Sequence, residues 1–374
     1  MHRTSICGFH RGVLATVALG SLGASALAGP LNPKLVSGDA KWLVHIDIEA
    51  ALKCSIVETL RSSHELGEAG IDEFKKETGL DPFTDIKDIT LYGFDGDSDR
   101  AVFLAQTTAA ADKTVEKVKA LKSFKTVASG AYQLLCWNDD EEGDGDHAGA
   151  AGKDADKEKG GEDGEHHHKH GHGEDDSGVR YAYVHSPAGG ANRIVVFGEN
   201  ADDVARGVDV LTAKKPGLGA GGAIKPAPKA GVIFYAVAAD LSEIMGLEAN
   251  VAKQAESMEL QVGEAGGELF ADAAVQAKTA EDATSITQVV QGIIAMGRLA
   301  AGEEPELKEL MPLVDSLKMS AQGKMVTASF RYDTKAITEK LKKAIDEEQA
   351  EDGAKQPAGK EHHDEGKGGK KEPA

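Results

Sequence analysis

Apolar residues recur along this chain in two rhythms, and the rhythms define its elements. In "KWLVHIDIEAAL", Trp42, Val44 and Ile46 alternate with Leu43, His45 and Asp47, the two-residue period of a strand. Beyond Asp47 the period lengthens. Ile48, Leu52, Ile56 and Leu60 fall on one helical face, with Asp47 suited to the N-cap. "IDEFKKETGLDP" predicts a second short helix, stopped by Gly79 and Pro82. "DITLYGF" and "RAVFLAQT" read as strands joined by the turn "DGDSD". "ADKTVEKVKALKSF" is an amphipathic helix, and "KTVASGAYQLLCWN" a strand, a Gly turn and a strand.

From Asn138 to Gly178 the pattern stops. The segment is Asp, Glu, Gly, Lys, Ala and His, with almost no large apolar side chain. Such a composition cannot bury enough surface to offset its conformational entropy, so disorder is expected. The pattern resumes with the strands "VRYAYVHS" and "RIVVFGE" and a helix, "NADDVARGVDVL", capped by Asn200. The acidic segment therefore reads as an insertion between two strands that would otherwise pair, a cost that grows slowly with length. "KKPGLGAGGAIKPAPKAG" is a Gly/Pro linker. A second half follows, from "VIFYAVAADLSEI" to "TKAITEKLKKAIDEEQ", and ends in a polar tail.

The halves match in order: strand, helix, hairpin, helix, hairpin, helix. "WLVHIDIEAAL" aligns with "IFYAVAADLSEI", and "VVFGENADDVARGVDVL" with "ASFRYDTKAITEKLKKA", which places Asn200 and Asp333 in equivalent caps. The expected fold class is α+β: two similar units of mainly antiparallel sheet with helices on one face, arising by internal duplication. The predicted organisation is a signal peptide at 1–28, a first unit at 29–216 interrupted by the disordered His-rich insertion at 139–178, a linker at 217–230, a second unit at 231–349 and a disordered charged tail at 350–374.

Charge sharpens this division. The formal net charge is −20, which disfavours nucleic acid and anionic membranes as partners. Residues 139–178 carry 15 Asp/Glu against 4 Lys, and residues 346–374 carry 9 against 5. The acidity thus belongs mainly to two segments outside the periodic pattern. At the N-terminus, Arg3 and Arg11 precede the apolar run "GVLATVALGSLGASALA", and Ala26–Ala28 fits a signal peptidase site. That run is short and Gly-interrupted for a membrane anchor, and no later run is long enough to span a bilayer. Export to the periplasm or beyond is expected. In an oxidising compartment Cys54 and Cys136 could form a disulfide or remain two small buried hydrophobes.

The opening "KWLVHIDIEA", then "DITLYGFDGDSDRAVFL", and the export signal resemble uncharacterised secreted proteins of planctomycete-type bacteria, over most of residues 38–345. The resemblance implies an exported α+β protein and carries over no functional residue.

Candidate chemistry is concentrated in "EHHHKHGHGEDD". His166, His167, His168, His170 and His172 lie within seven residues, surrounded by carboxylates, a composition that suits loose binding of Zn, Ni or Cu(II). A flexible chain offers no fixed geometry for them, so a solvated charged loop is the competing reading. "DGDSDR" has the Asp spacing that opens a calcium loop, but Arg100 stands where Gly is needed and Gln106 where Glu is needed. "GLGAGG" follows a helix and opens none, so it is linker and not a phosphate loop. His45 and Asp47 read as a sheet residue and a helix cap. No GxSxG, HExxH, CxxC or Walker motif is present. The expected function is an exported, non-enzymatic binding or scaffold protein of unknown partner, an envelope protein being the candidate. The alternatives are divalent-metal buffering or sensing through the insertion, and an enzyme with its site between the two units.

Overall fold

The computed structural model describes residues 31–62, 68–96, 100–138, 178–187, 191–219, 221–241, 250–303 and 311–355. The expected signal peptide, nearly all of the acidic insertion with its His cluster, and the end of the tail lie outside these residues.

After a short 3-10 turn at Pro33–Leu35, the first strand, β1 (Trp42–Asp47), runs into α1 (Ile48–Leu52). Asp47 makes the switch: its Oδ1 accepts from the Ala50 N–H at 2.8 Å, satisfying a donor of the first helical turn. Helices α2 (Ser55–Ser62) and α3 (Glu68–Thr78) follow, and Gly79 ends α3 in the left-handed region at φ +78°. Next come β2 (Ile86–Gly93), β3 (Val102–Thr108), α4 (Ala111–Lys119), β4 (Lys125–Ser129), β5 (Tyr132–Asn138), β6 (Val179–His185), β7 (Asn192–Gly198) and α5 (Ala201–Leu211). The second half contains β8 (Val232–Ala239), α6 (Asn250–Gln254), β9 (Ala255–Ala265), β10 (Glu268–Ala277), α7 (Ala280–Glu303), α8 (Met311–Asp315), β11 (Lys318–Gln322), β12 (Met325–Asp333) and α9 (Thr334–Lys355). Asn200 and Asp333 cap α5 and α9 as equivalent positions. Helix α9 continues past the boundary expected at residue 349.

The twelve strands of the described residues form one antiparallel sheet, in the order β11-β12-β10-β9-β8-β1-β2-β3-β7-β6-β5-β4. The halves are joined by β1 and β8, which pair from Trp42↔Ala238 to Ile46↔Phe234. Strand β8 is apolar on its two faces, and β1 is apolar on the face of Trp42, Val44 and Ile46 and at Leu43 on the other. As edges they would offer unpaired N–H and C=O groups beside exposed hydrophobics, and pairing them removes both edges. Outward from this seam the halves repeat one order: β1, β2, β3, β7, β6 on one side and β8, β9, β10, β12, β11 on the other. The first half adds the hairpin β4–β5.

Helix α5 covers one face of the sheet. Its Val204 and Val208 are fully buried in a core with Leu43, Tyr92, Val102 and Val196. Helix α7 lies against Val275 and Val326. Through the pairs Trp42↔Ala238, Ala238↔Met258, Met258↔Val275 and Val275↔Val326, that is the opposite face, the one carrying Trp42. The helices are thus shared between the faces rather than gathered on one. The central strands require this, because β1 buries Leu43 on one side and Ile46 on the other.

The Gly/Pro segment after α5 is a connection in sequence and part of the core in space. Leu218 and Ile224 are buried under the same face as Leu43 and Tyr235. The Leu218 N–H donates to the Pro33 and Val36 carbonyls, both at 2.9 Å. At the insertion, β5 and β6 pair up to Asn138↔Val179, so the chain leaves and re-enters the sheet at facing residues. No disulfide joins the cysteines: Cys54 is buried with Ile56, Val57 and Ile233, whereas Cys136 is buried on β5.

Gly207 sets how closely α5 approaches the sheet. A Cβ there would sit 3.0 Å from Val196 Cγ1, and 3.1 Å from both the Tyr92 hydroxyl and Val102 Cγ1. Gly207→Ala should therefore destabilise the fold by about 1–3 kcal/mol despite its higher helix propensity, because α5 must shift off its seat. Urea unfolding monitored by circular dichroism checks the sign. A stabilised variant would show that the contact is not limiting.

Candidate functional site

Two groups of polar side chains stand out from the apolar architecture, and they lie on one face of the sheet. The first is on the central strands. His45 and Asp47 are two residues apart on β1, so they share a face, and the antiparallel register sets Thr90 opposite His45 and Asp88 opposite Asp47. All four are at most 5% exposed. His45 Nδ1 lies 2.9 Å from Thr90 Oγ1, while His45 Nε2 and Asp47 Oδ2 are buried with no hydrogen-bond partner among the described residues.

Burial dominates the chemistry of this group. It lowers His45 to about 4, so the ring is neutral at physiological pH. It pushes Asp47 up to about 6, opposed by the Ala50 N–H and reinforced by Glu49. Asp88 is pushed up to about 7, first by burial and then by the facing Asp47, with the Gln106 side chain opposing. Near neutrality the two facing carboxyls therefore hold a proton between them.

The second group lies further along the same face. Cross-strand pairs trace it from the buried Leu43↔Val237 to Val237↔Glu259 and Tyr235↔Gln261, then to Gln261↔Asp272, Asp272↔Ser329 and Ala274↔Thr327. Where α5 covers this face, around Leu43, Tyr92 and Val196, it is apolar; across β9, β10 and β12 it is polar. There it forms a groove of about 290 Å³ lined by Lys229, Glu259, Gln261, Asp272, Thr327 and Ser329, with Ala273, Ala274 and Ala328.

Lys229 organises the groove from the connecting segment. Its backbone N–H donates to Gln261 Oε1 at 2.9 Å, and its ammonium reaches Asp272 Oδ2 at 2.8 Å. Arg331 grips the same carboxylate with two 2.8 Å bonds. Burial alone would raise Asp272, but the Arg331 and Lys229 bonds outweigh it and hold the carboxyl below its usual range. Gln261 Nε2 donates to Glu259 Oε1. Two cations thus balance two carboxylates, and amide and hydroxyl groups fill the intervening positions.

The residues singled out from the sequence fall elsewhere. His166, His167, His168, His170 and His172 are outside the described residues, as are Asp97 and Asp99 of the β2–β3 turn. Arg100, beside that turn, bonds Asp95 and the buried Asp203 at 2.9 Å each, so Asp95 is already engaged by a guanidinium. Among the described residues, no group of three or more His, Cys, Asp and Glu is placed to hold a metal ion. Asp88, Gln106 and the groove residues were missed in sequence. Their only local signal is a polar residue at alternate strand positions, which equally describes a solvated face.

The chain matches no protein-family model and no curated protein. Among solved structures, crystal forms III, I and IV of TP0453 align with TM-scores of 0.37, 0.34 and 0.36, at 8%, 8% and 7% identity. Form III covers 84% of this chain and 98% of its own, and form I the same shares; form IV covers 83% and 96%. Scores below 0.5 do not define a common fold. Among the described residues no helix is long and apolar enough to cross a membrane.

The facing carboxyls make stability depend on pH. Asp47 and Asp88 bind protons on folding between about pH 4 and their raised values near 6 and 7, so their contribution falls as pH rises through that window. His45, lowered to about 4 from 6.5, acts in the opposite direction over pH 4–6.5 and not above it. Asp88→Asn should stabilise the protein at both pH 5 and pH 8, and by on the order of 3 kcal/mol more at pH 8. Chemical denaturation at both pH values tests this, and an equal effect at the two would remove the pair from the explanation.

Proposed function

We propose that this chain is an exported, non-enzymatic binding protein of the cell envelope, and that its ligand surface is the groove across β9, β10 and β12. The observation that carries the reading is the change of character along one sheet face. The face is apolar under α5 at Leu43, Tyr92 and Val196, and polar beyond it, where the buried Gln261 and the more accessible Asp272, Thr327 and Ser329 line a groove. Polar side chains that converge in a concavity are the ordinary mark of a ligand site. The balanced charge and the amide and hydroxyl lining suit a neutral ligand rich in hydrogen-bonding groups, such as a carbohydrate or an extended peptide backbone. Residues 1–28, with the pattern of a signal peptide, support export. The matching strand order of the halves supports descent from one duplicated α+β unit. An enzyme site between the units has less support, because the strands that meet there are hydrogen-bonded to each other.

Hydrogen exchange on the whole chain, with and without an extract of its native envelope, tests the groove. Protection should appear in β9, β10 and β12. The double variant Gln261→Ala/Thr327→Ala should bind at least about tenfold more weakly, a loss of roughly 1.4 kcal/mol. Protection elsewhere, or binding indifferent to the variant, would overturn the assignment.

The five clustered histidines support a second reading, exchangeable binding of Zn, Ni or Cu(II) by the insertion. Because Asn138 and Val179 face each other, a chain in which an Asn-Gly turn replaces residues 139–178 should keep its circular dichroism spectrum while losing most zinc binding in a titration. Equal zinc binding by the two chains would end this reading.

A further inference from the structure

Helix α7 is 24 residues long, and beyond its beginning one of its faces is exposed among the described residues. Ala283 and Ile286 are buried against the sheet, after which Val289, Ile293, Met296 and Leu299 are 44%, 58%, 66% and 71% exposed. Among the described residues five large apolar side chains are exposed, and these are four of them. Their spacing is ordered. Val289, Gly292, Met296 and Leu299 follow one another at steps of three, four and three, the a/d seam by which one helix packs on another, and Ile293 flanks the seam.

The surroundings of the seam restrict what can cover it. In a chain that is 28% charged, the fifteen residues from Ala283 to Gly297 include no Asp, Glu, Lys or Arg. Gly292 and Gly297 lie in the exposed part of the helix, where a Cβ would meet nothing within 4 Å. Gly weakens an exposed helix relative to Ala, and no close approach within the chain requires it here. A neighbouring helix backbone drawn in close would require it.

We propose that this face of α7 is a homodimer interface, in which α7 packs antiparallel on α7 of a second copy across a two-fold axis. The occupant must present an apolar heptad seam of similar length with no charge beside it, and the same helix in a second copy meets that need by symmetry. Electrostatics favours the same site. Two molecules of net charge −20 repel each other, and a charge-free helix is where their approach costs least. A lipid surface fits less well. Helices that lie in a bilayer interface carry Lys and Arg on their polar side, whereas the exposed part of α7 offers Arg298, already paired with Asp315 at 2.9 Å.

Sedimentation velocity of the full chain, over roughly 1–200 µM, tests the proposal, because a seam this small should give a dimer with a Kd on the order of 10 µM. Met296→Glu and, separately, Ile293→Glu should each weaken the dimer at least tenfold. Both side chains are exposed, so at about 1 µM, below the dimer's Kd, melting temperature and circular dichroism should not move. Gly292→Cys should form a disulfide-linked dimer without reductant, and Gln322→Cys, on an edge strand, should not. A wild-type monomer throughout the range, or a dimer that survives both Glu substitutions, would overturn the proposal. So would a monomer that binds phosphatidylcholine vesicles through the same side chains.

Discussion

The pairing of β1 with β8 is the constraint on which the rest of this structure depends. Strand β8 is apolar on both faces and β1 on the face of Trp42, Val44 and Ile46, so neither can end a sheet in water without exposing backbone donors and acceptors next to hydrophobic side chains. Their register, from Trp42↔Ala238 to Ile46↔Phe234, makes one twelve-stranded sheet out of two similar halves. It also aligns the halves face to face. Leu43 meets Val237, Val237 meets Glu259, and a buried apolar surface passes without a break into a polar one.

The local half of this description was legible in the sequence. The period change at Asp47, the caps at Asn200 and Asp333, and the stop at Gly79 each depend on a few consecutive residues, and each appears where its pattern places it. Nonlocal features were hidden. The pattern around Trp42 and Phe234 identifies two strands but does not say that they pair. The Gly and Pro content of residues 217–230 reads as linker, yet Leu218 and Ile224 anchor that segment in the core. Asp88 looks like any strand polar residue until register places it opposite Asp47. The groove was invisible for the same reason, since Glu259, Asp272 and Ser329 come from three strands. The histidines, the strongest local signal, stand on a segment that begins and ends outside the groove.

The facing carboxyls are a departure from the rule that buried polar groups are paired. Asp47 is explained by its cap to α1, which fixes one oxygen and leaves the other buried. Asp88 has no comparable structural duty, and opposing charges of one sign on adjacent strands are destabilising. The protein tolerates the arrangement by retaining a proton, and this couples the centre of the sheet to the acidity of its surroundings.

The facing positions of Asn138 and Val179 have an evolutionary consequence. Neighbouring strand positions are about 5 Å apart, a gap that a two-residue turn can close. Lengthening such a connection adds only a logarithmic entropy cost, about 0.6 kcal/mol per doubling. The count of acidic residues and histidines between those two positions is therefore nearly invisible to folding. Slippage, duplication or loss of codons there would be filtered only by what the segment does for the cell, and relatives that share the sheet are free to differ widely in this one region.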